Sequence, residues 1–162
     1  MSKLITVDGD KVEGTDKHNV SGTGTISAPP GTAPYTGIAD FDYKGKMADA
    51  LSDFVSIGGK AAATVTSKSK LNPGEDAPGG KHHGMQGSNF VPPTPTPIAA
   101  TINITDPVGT GIPSSGTGST FVKVGGDAVL LDGDKIDTCD GLSIPMNSTV
   151  TAQNQDFVNC SE

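Results

Sequence analysis

Five side chains of this sequence have the chemistry of transition-metal ligands: His18, His82, His83, Cys139 and Cys160. Neutral imidazole nitrogen and thiolate sulfur are the donors of tetrahedral structural zinc, a site that adds folding free energy. A mixed His and thiolate set suits zinc ahead of iron. The spacing is not that of a zinc finger, since no Cys-x-x-Cys or His-x-x-x-His pair occurs. Any site must therefore be assembled from distant segments. The plainer alternative is that His82 and His83 sit on a solvated Gly-rich loop and that the two cysteines are small buried residues or a disulfide. Joining Cys139 to Cys160 would close a loop of roughly twenty residues, worth about 3 kcal/mol. Met1 to Asp8 carries a charge where a secretory segment would still be apolar, so the sequence predicts folding in a reducing cytoplasm, where metal or free thiol is favoured over a disulfide.

Other chemistries fare worse. Asp8 with Asp10, and Asp132 with Asp134, are paired carboxylates, but a chain with no Trp, 2 Tyr and 5 Phe has little aromatic surface for a carbohydrate cleft. Their recurrence favours a corner-forming role. Asp132, Asp134 and Asp137 cluster oxygens without the downstream Glu of a calcium loop. Neither a Gly-x-Ser-x-Gly elbow nor a phosphate-binding loop is present. The expectation is a non-enzyme. With 11 basic against 18 acidic residues the net charge is −7, which argues against nucleic acid or an anionic membrane surface as a standing partner.

Two internal repeats indicate the elements that must position the candidate ligands. Phe54-Val-Ser-Ile-Gly-Gly-Lys-Ala61 matches Phe121-Val-Lys-Val-Gly-Gly-Asp-Ala128. Each copy reads as a short strand entering a tight Gly-Gly hairpin turn. Val7-Asp-Gly-Asp-Lys-Val-Glu13 matches Leu131-Asp-Gly-Asp-Lys-Ile-Asp137. Together with the polar corner Ser67-Lys68-Ser69-Lys70 they make three similar turns, each followed by metal-capable side chains: His18, then His82 and His83, then Cys139. Gly and Pro number 22 and 12 and only 33% of residues are apolar, so a helix bundle is excluded and the core is thin for its length. No run approaches the ~20 apolar residues of a spanning helix. We expect a single mainly β domain over 1–162, with short strands, long Gly/Pro-rich loops and a Pro/Gly/Ser/Thr-rich loop insertion at about 91–120. At most one short helix is expected, and its place would be Tyr43 to Phe54, where Met47, Ala48, Ala50, Leu51 and Phe54 stand at helical spacing.

This pattern resembles the PAAR-repeat family, the small metal-stapled cones that sharpen the central spike of contractile injection machines. Phe121 to Ala128, and Phe54 to Ala62 with Gly59-Lys60-Ala61-Ala62, are similar to the family's strand and Pro-Ala-Ala-Arg turn, without the Pro or Arg. Asp132-Gly133-Asp134-Lys135 running to Cys139 resembles its Gly-Asp-Lys-x-x-Cys, and Gly9-Asp10-Lys11 before His18 its opening. His18 lies further from Gly9-Asp10-Lys11 than in the compact family pattern, which places the chain nearer the divergent proteins of phage tails, extracellular injection systems and type VI secretion. The resemblance implies a cone-shaped, pseudo-threefold β domain with a structural zinc, iron being second choice, held by His18, one or both of His82 and His83, Cys139 and Cys160. It implies docking on a homotrimeric β-helical spike protein, VgrG-like or a phage spike hub, with effector cargo where extended and only transient contact with a target membrane. Assembly in the cytoplasm and delivery at the particle tip would follow. The competing expectation is a metal-free β-rich surface adhesion or carbohydrate-binding module.

Overall fold

The computed structural model describes residues 2–27, 30–91, 98–138 and 148–161. In chain order the strands are β1 (Ser2–Leu4), β2 (Lys11–Ser27), β3 (Pro30–Asp49), β4 (Ser56–Ile57), β5 (Lys60–Ala61), β6 (Lys68–Leu71), β7 (Ser88–Val91), β8 (Ile98–Ile104), β9 (Thr110–Pro113), β10 (Lys123–Val124), β11 (Asp127–Ala128), β12 (Lys135–Asp137), β13 (Ser148–Thr151) and β14 (Asn159–Ser161). The protein is mainly β, and the one helical element among the described residues is a 3-10 turn, Gly84–Gln86.

Six strands pair in a closed antiparallel circuit: β2 with β3, β3 with β6, β6 with β9, β9 with β12, β12 with β13, and β13 back to β2. A circuit of this kind has no free edge. Inside it lie Val12, Tyr43, Met47, Ile136 and Val150, closed at one end by Ala63 and Leu130. Burying each large side chain contributes about 1.5–3 kcal/mol.

That closed end is built from three corners with one hydrogen-bond plan. The amide of Val7 donates to Asp10 Oδ2 at 2.7 Å, that of Thr64 to Ser67 Oγ at 2.9 Å, and that of Leu131 to Asp134 Oδ2 at 2.8 Å. The corners hold each other in a cycle: the Thr6 amide donates to the Leu130 carbonyl, the Leu130 amide to Ala63, and the Ala63 amide to Thr6, at 2.9, 3.0 and 2.9 Å. From the three corners β2, β6 and β12 leave side by side with β3, β9 and β13 returning between them. The repeated Asp-Gly-Asp-Lys and the Ser67-Lys68 corner thus share one hydrogen-bond plan.

Below each corner sits a two-stranded ribbon. The two Gly-Gly hairpins expected from the sequence are formed, as β4–β5 and β10–β11, and Gly58, Gly59, Gly125 and Gly126 all have the positive φ such turns need. The third ribbon pairs β1 with β14, from opposite ends of the described chain. The ribbons share a second apolar cluster of Ile5, Val7, Ile57, Val129 and Leu131, with Val122, Val124, Val158 and Cys160 packed against it.

Two expectations are corrected. No helix forms over 43–54: β3 continues to Asp49, and Ala39, Phe41, Tyr43 and Met47 are buried at the two-residue period of a strand. Gly45 interrupts that alternation in the sequence, yet it is buried in step, where a Cβ would collide with the Lys70 carbonyl. The stretch 91–120 is not wholly loop. β8 adds to β2, with Ile102 buried and Asn103 exposed, and β9 bridges β6 and β12.

The β2–β3 hairpin runs on beyond the circuit. β13 pairs only with residues 11–13 of β2 and β6 only with 45–49 of β3, whereas β2 and β3 stay paired from Lys11–Lys46 to Ser27–Pro30. A third cluster of Val20, Tyr35, Ala39, Phe41 and Ile102 supports this extension.

Candidate metal centre

Where β2 and β3 leave the circuit, three ligand atoms converge. Asp16 and His18 are two apart on β2, so the pleat turns both side chains to one face. His82 comes from the loop between β6 and β7, which is folded on itself by the Glu75, Ala77, Gly80 and His82 amides donating to the carbonyls of Asn72, Gly74, Ala77 and Glu75. Asp16 Oδ2 lies 3.3 Å from His18 Nε2 and 3.3 Å from His82 Nε2, and the two Nε2 atoms are 2.8 Å apart. All three side chains are fully buried. Phe41 packs against both imidazoles and Tyr43 meets His82 edge-on, with centroids 5.6–5.8 Å apart.

This group can hold a metal ion. Ligand atoms bound tetrahedrally at about 2.0–2.1 Å stand about 3.3 Å from one another, so the two Asp16 edges already have the required length and the imidazoles need part by only about half an ångström. Asp16 Oδ2 is buried without a hydrogen-bond partner among the described residues, a costly arrangement that a cation would relieve.

The outer contacts set the tautomers. His82 Nδ1 gives its hydrogen to the Asp42 carbonyl at 3.1 Å, which leaves the Nε2 lone pair facing the cluster. The hydrogen in the 2.8 Å contact therefore belongs to His18 Nε2. A metal must displace it, and the remaining imidazole hydrogen then belongs on Nδ1, where Asp106 Oδ2 lies 3.6 Å away. Asp106 is held in turn by the Asn19 amide at 2.7 Å and Asn19 Nδ2 at 3.1 Å. Outer carboxylates of this type change metal affinity by roughly 10–100-fold. Asp106→Asn is expected to weaken metal binding about tenfold, measured by competition with a chromophoric chelator, while the melting temperature of the metal-free protein changes little.

Burial pushes His82 below its ordinary value of 6.5 and His18 adds to the lowering, against the opposing pull of Asp16, the Asp42 carbonyl and Glu75. Burial likewise raises the Tyr43 hydroxyl to about 12, with the Ser69 hydroxyl, 2.9 Å away, opposing the rise and Asp16 adding to it. The sign for His82 is that of a depressed folded value. Its contribution to stability is complete above about pH 6.5 and is lost as the pH falls from there to the folded value, because the unfolded chain takes up the proton first. Chelator-treated protein should melt progressively lower as the pH falls below about 6.5, and His82→Gln should flatten that slope in the same scan.

Of the five ligands expected from the sequence, the fold brings His18 and His82 together. His83 is half-buried, with Nδ1 on the Asp76 carbonyl at 3.0 Å, and lines a cavity of about 240 Å³ beside His82 rather than joining the cluster. Cys160 lies in β14 opposite Lys3 and packs with the second apolar cluster. Cys139 falls outside the described residues. Asp16 is the candidate ligand that sequence reasoning passed over, although Asp16-Lys17-His18 on a strand is a same-face pair. The paired carboxylates are structural: Asp10 and Asp134 accept corner amides, and Asp137 accepts the Ser114 hydroxyl at 2.6 Å. Comparison with known protein families, with curated proteins and with solved structures finds no match.

Proposed function

We propose that this protein is a structural spike tip, a cap that seats on the end of a homotrimeric β-helical spike of a contractile injection machine and helps it pierce a target envelope. The observation that carries this reading is the cycle of three corners, Thr6 to Leu130 to Ala63 and back to Thr6, with one ribbon below each corner. A trimeric β-helix ends in three identical sets of unpaired strand amides and carbonyls, which invite aggregation unless covered. A single chain that repeats one unit around a ring is the economical match to such an end. Pseudo-threefold symmetry in the chain and true threefold symmetry in the spike are the two halves of this reading.

The metal belongs to the same account. Zinc is the preferred ion for two imidazoles and a carboxylate, and it would stiffen the hairpin at the point where it leaves the closed circuit. Asp16, His18 and His82 would hold it, with Asp106 and the Asp42 carbonyl orienting the rings. The cap would act by shape and rigidity, without turnover. The test mixes the purified chain with a homotrimeric β-helical spike protein and weighs the complex by light scattering after gel filtration. One chain per three spike subunits is expected. Failure to bind, or a ratio of one to one, would overturn the cap.

A further inference from the structure

The ring of ribbons carries one exposed phenylalanine per ribbon, at the same step each time. Phe54, Phe121 and Phe157 are 71%, 74% and 63% exposed, a large share for side chains that apolar burial should draw inside. Each begins the same four-residue unit. Phe54-Val55-Ser56-Ile57 and Phe121-Val122-Lys123-Val124 enter the two hairpins, and Phe157-Val158-Asn159-Cys160 enters β14. The third residue after each Phe belongs to the shared apolar cluster, as do Val122 and Val158, so Cys160 occupies the place of Ile57 and Val124.

The backbone at each exposed ring is held by the same device. Ser52 Oγ accepts the amides of Phe54 and Val55, Ser119 Oγ those of Phe121 and Val122, and Gln155 Oε1 those of Phe157 and Val158, at 2.8–3.4 Å. The carbonyls of Val55, Val122 and Val158 then accept the amides of Ala62, Val129 and Ile5. Two of the rings lie over the turn of the neighbouring ribbon. A Cβ at Gly58 would stand 3.7 Å from Phe157, and one at Gly125 would stand 3.4 Å from Phe54. Phe157 and Phe54 thus follow one another round one rim, and Phe121 holds the equivalent position on the ribbon whose turn Phe54 covers.

We propose that Phe54, Phe121 and Phe157 are the anchors by which this ring binds a homotrimer, one ring entering an equivalent apolar pocket on each of three identical subunits. The proposal rests on the cap reading and names the groups that make the contact. Covering a Phe removes about 150 Å² or more from water, so three supply about 450 Å², more than half of the ~800 Å² that a stable interface takes from each partner. Clamped backbones lower the ordering cost of binding. Three linked anchors gain further by avidity, provided that the partner offers three sites in matching geometry. A homotrimer does this by symmetry.

The test measures binding of the full chain to a homotrimeric β-helical spike protein for the wild type, the three single Phe→Ala variants and the triple variant, all loaded with zinc. Because the rings are largely exposed, the variants should melt within a few degrees of the wild type. Each single change should weaken binding at least about tenfold, as for anchor residues elsewhere, and the triple change should abolish it. Wild-type binding that the triple variant retains would overturn the anchors while leaving the cap intact. Absence of wild-type binding would overturn both. Phe-dependent self-association of the chain alone, seen by sedimentation, would assign the rim to a second copy and overturn the proposal.

Discussion

Asp10→Ala should cost about 4 kcal/mol of unfolding free energy, near the upper end for a single substitution. Asp10 is fully buried and serves four donors. Its Oδ2 accepts the Val7 amide at 2.7 Å, and its Oδ1 accepts the amides of Gln153 and Asn154 at 3.0 Å and Asn154 Nδ2 at 2.9 Å. The carboxylate therefore joins the first corner to the segment that leads into β14. Hydrogen bonds to a charged group contribute about 1.5–3 kcal/mol each, and donors orphaned by truncation add a desolvation cost. The other corners are less heavily loaded. Asp134 Oδ2 accepts the Leu131 and Gly118 amides, and Ser67 Oγ accepts the Thr64 amide while donating to the Ala50 carbonyl. Urea unfolding should rank the losses Asp10→Ala, then Asp134→Ala, then Ser67→Ala at about 1–2 kcal/mol. Equal losses at all three would show that corner geometry, not the acceptors, carries the energy.

The second large effect is a change of sign. In the metal-free protein Asp16→Asn should leave the melting temperature at pH 8 unchanged or raise it. The substitution removes a buried negative charge whose Oδ2 has no hydrogen-bond partner among the described residues, while the Lys17 amide keeps an acceptor in place of Oδ1. With zinc present the order reverses. The variant loses an anionic ligand and should bind the metal at least about 100-fold more weakly, beyond the usual effect of an outer-shell change. Since ligand binding stabilises by RT ln(1 + [L]/Kd), zinc should raise the wild-type melting temperature strongly and that of the variant little. Melting curves with zinc and with chelator, read beside metal content by mass spectrometry, make the comparison. A wild type that holds no metal and melts the same under both conditions would remove the site.

Much of the ring was legible before the structure. Two corners announced themselves as Asp-Gly-Asp-Lys, because a tight turn closed by a side-chain acceptor restricts residue choice at every position. The Ser67-Lys68 corner was legible once a hydroxyl was allowed in place of the carboxylate. The third ribbon was not. Phe157-Val158-Asn159-Cys160 lacks the Gly-Gly turn that marks its counterparts, since its partner strand is Ser2–Leu4 and no turn joins them. Without its alignment to Ile57 and Val124, the lone thiol of Cys160 reads as chemistry rather than packing. At the metal centre the two histidines were legible as residue types. Asp16 was not, because carboxylates are common on β surfaces and only the two-residue strand period, together with burial, distinguishes this one. The strand character of 43–49 was masked by Gly45 standing where an apolar side chain would have completed the alternation.

The ring also dictates an order of events during folding. The Thr6 hydroxyl and the carbonyl it meets on Leu130 are 124 residues apart, and Gln155 reaches back 150 residues to the Ile5 carbonyl. Contacts so distant in the chain form slowly, since the loop must be closed before they give any return. On the ribosome the β2–β3 hairpin can zip as soon as it emerges, but the first corner stays open until Leu130 is available, and the β1–β14 ribbon waits for β14 itself. Ring closure is therefore the late step, and a chain interrupted before it would expose unpaired edges for quality control to recognise.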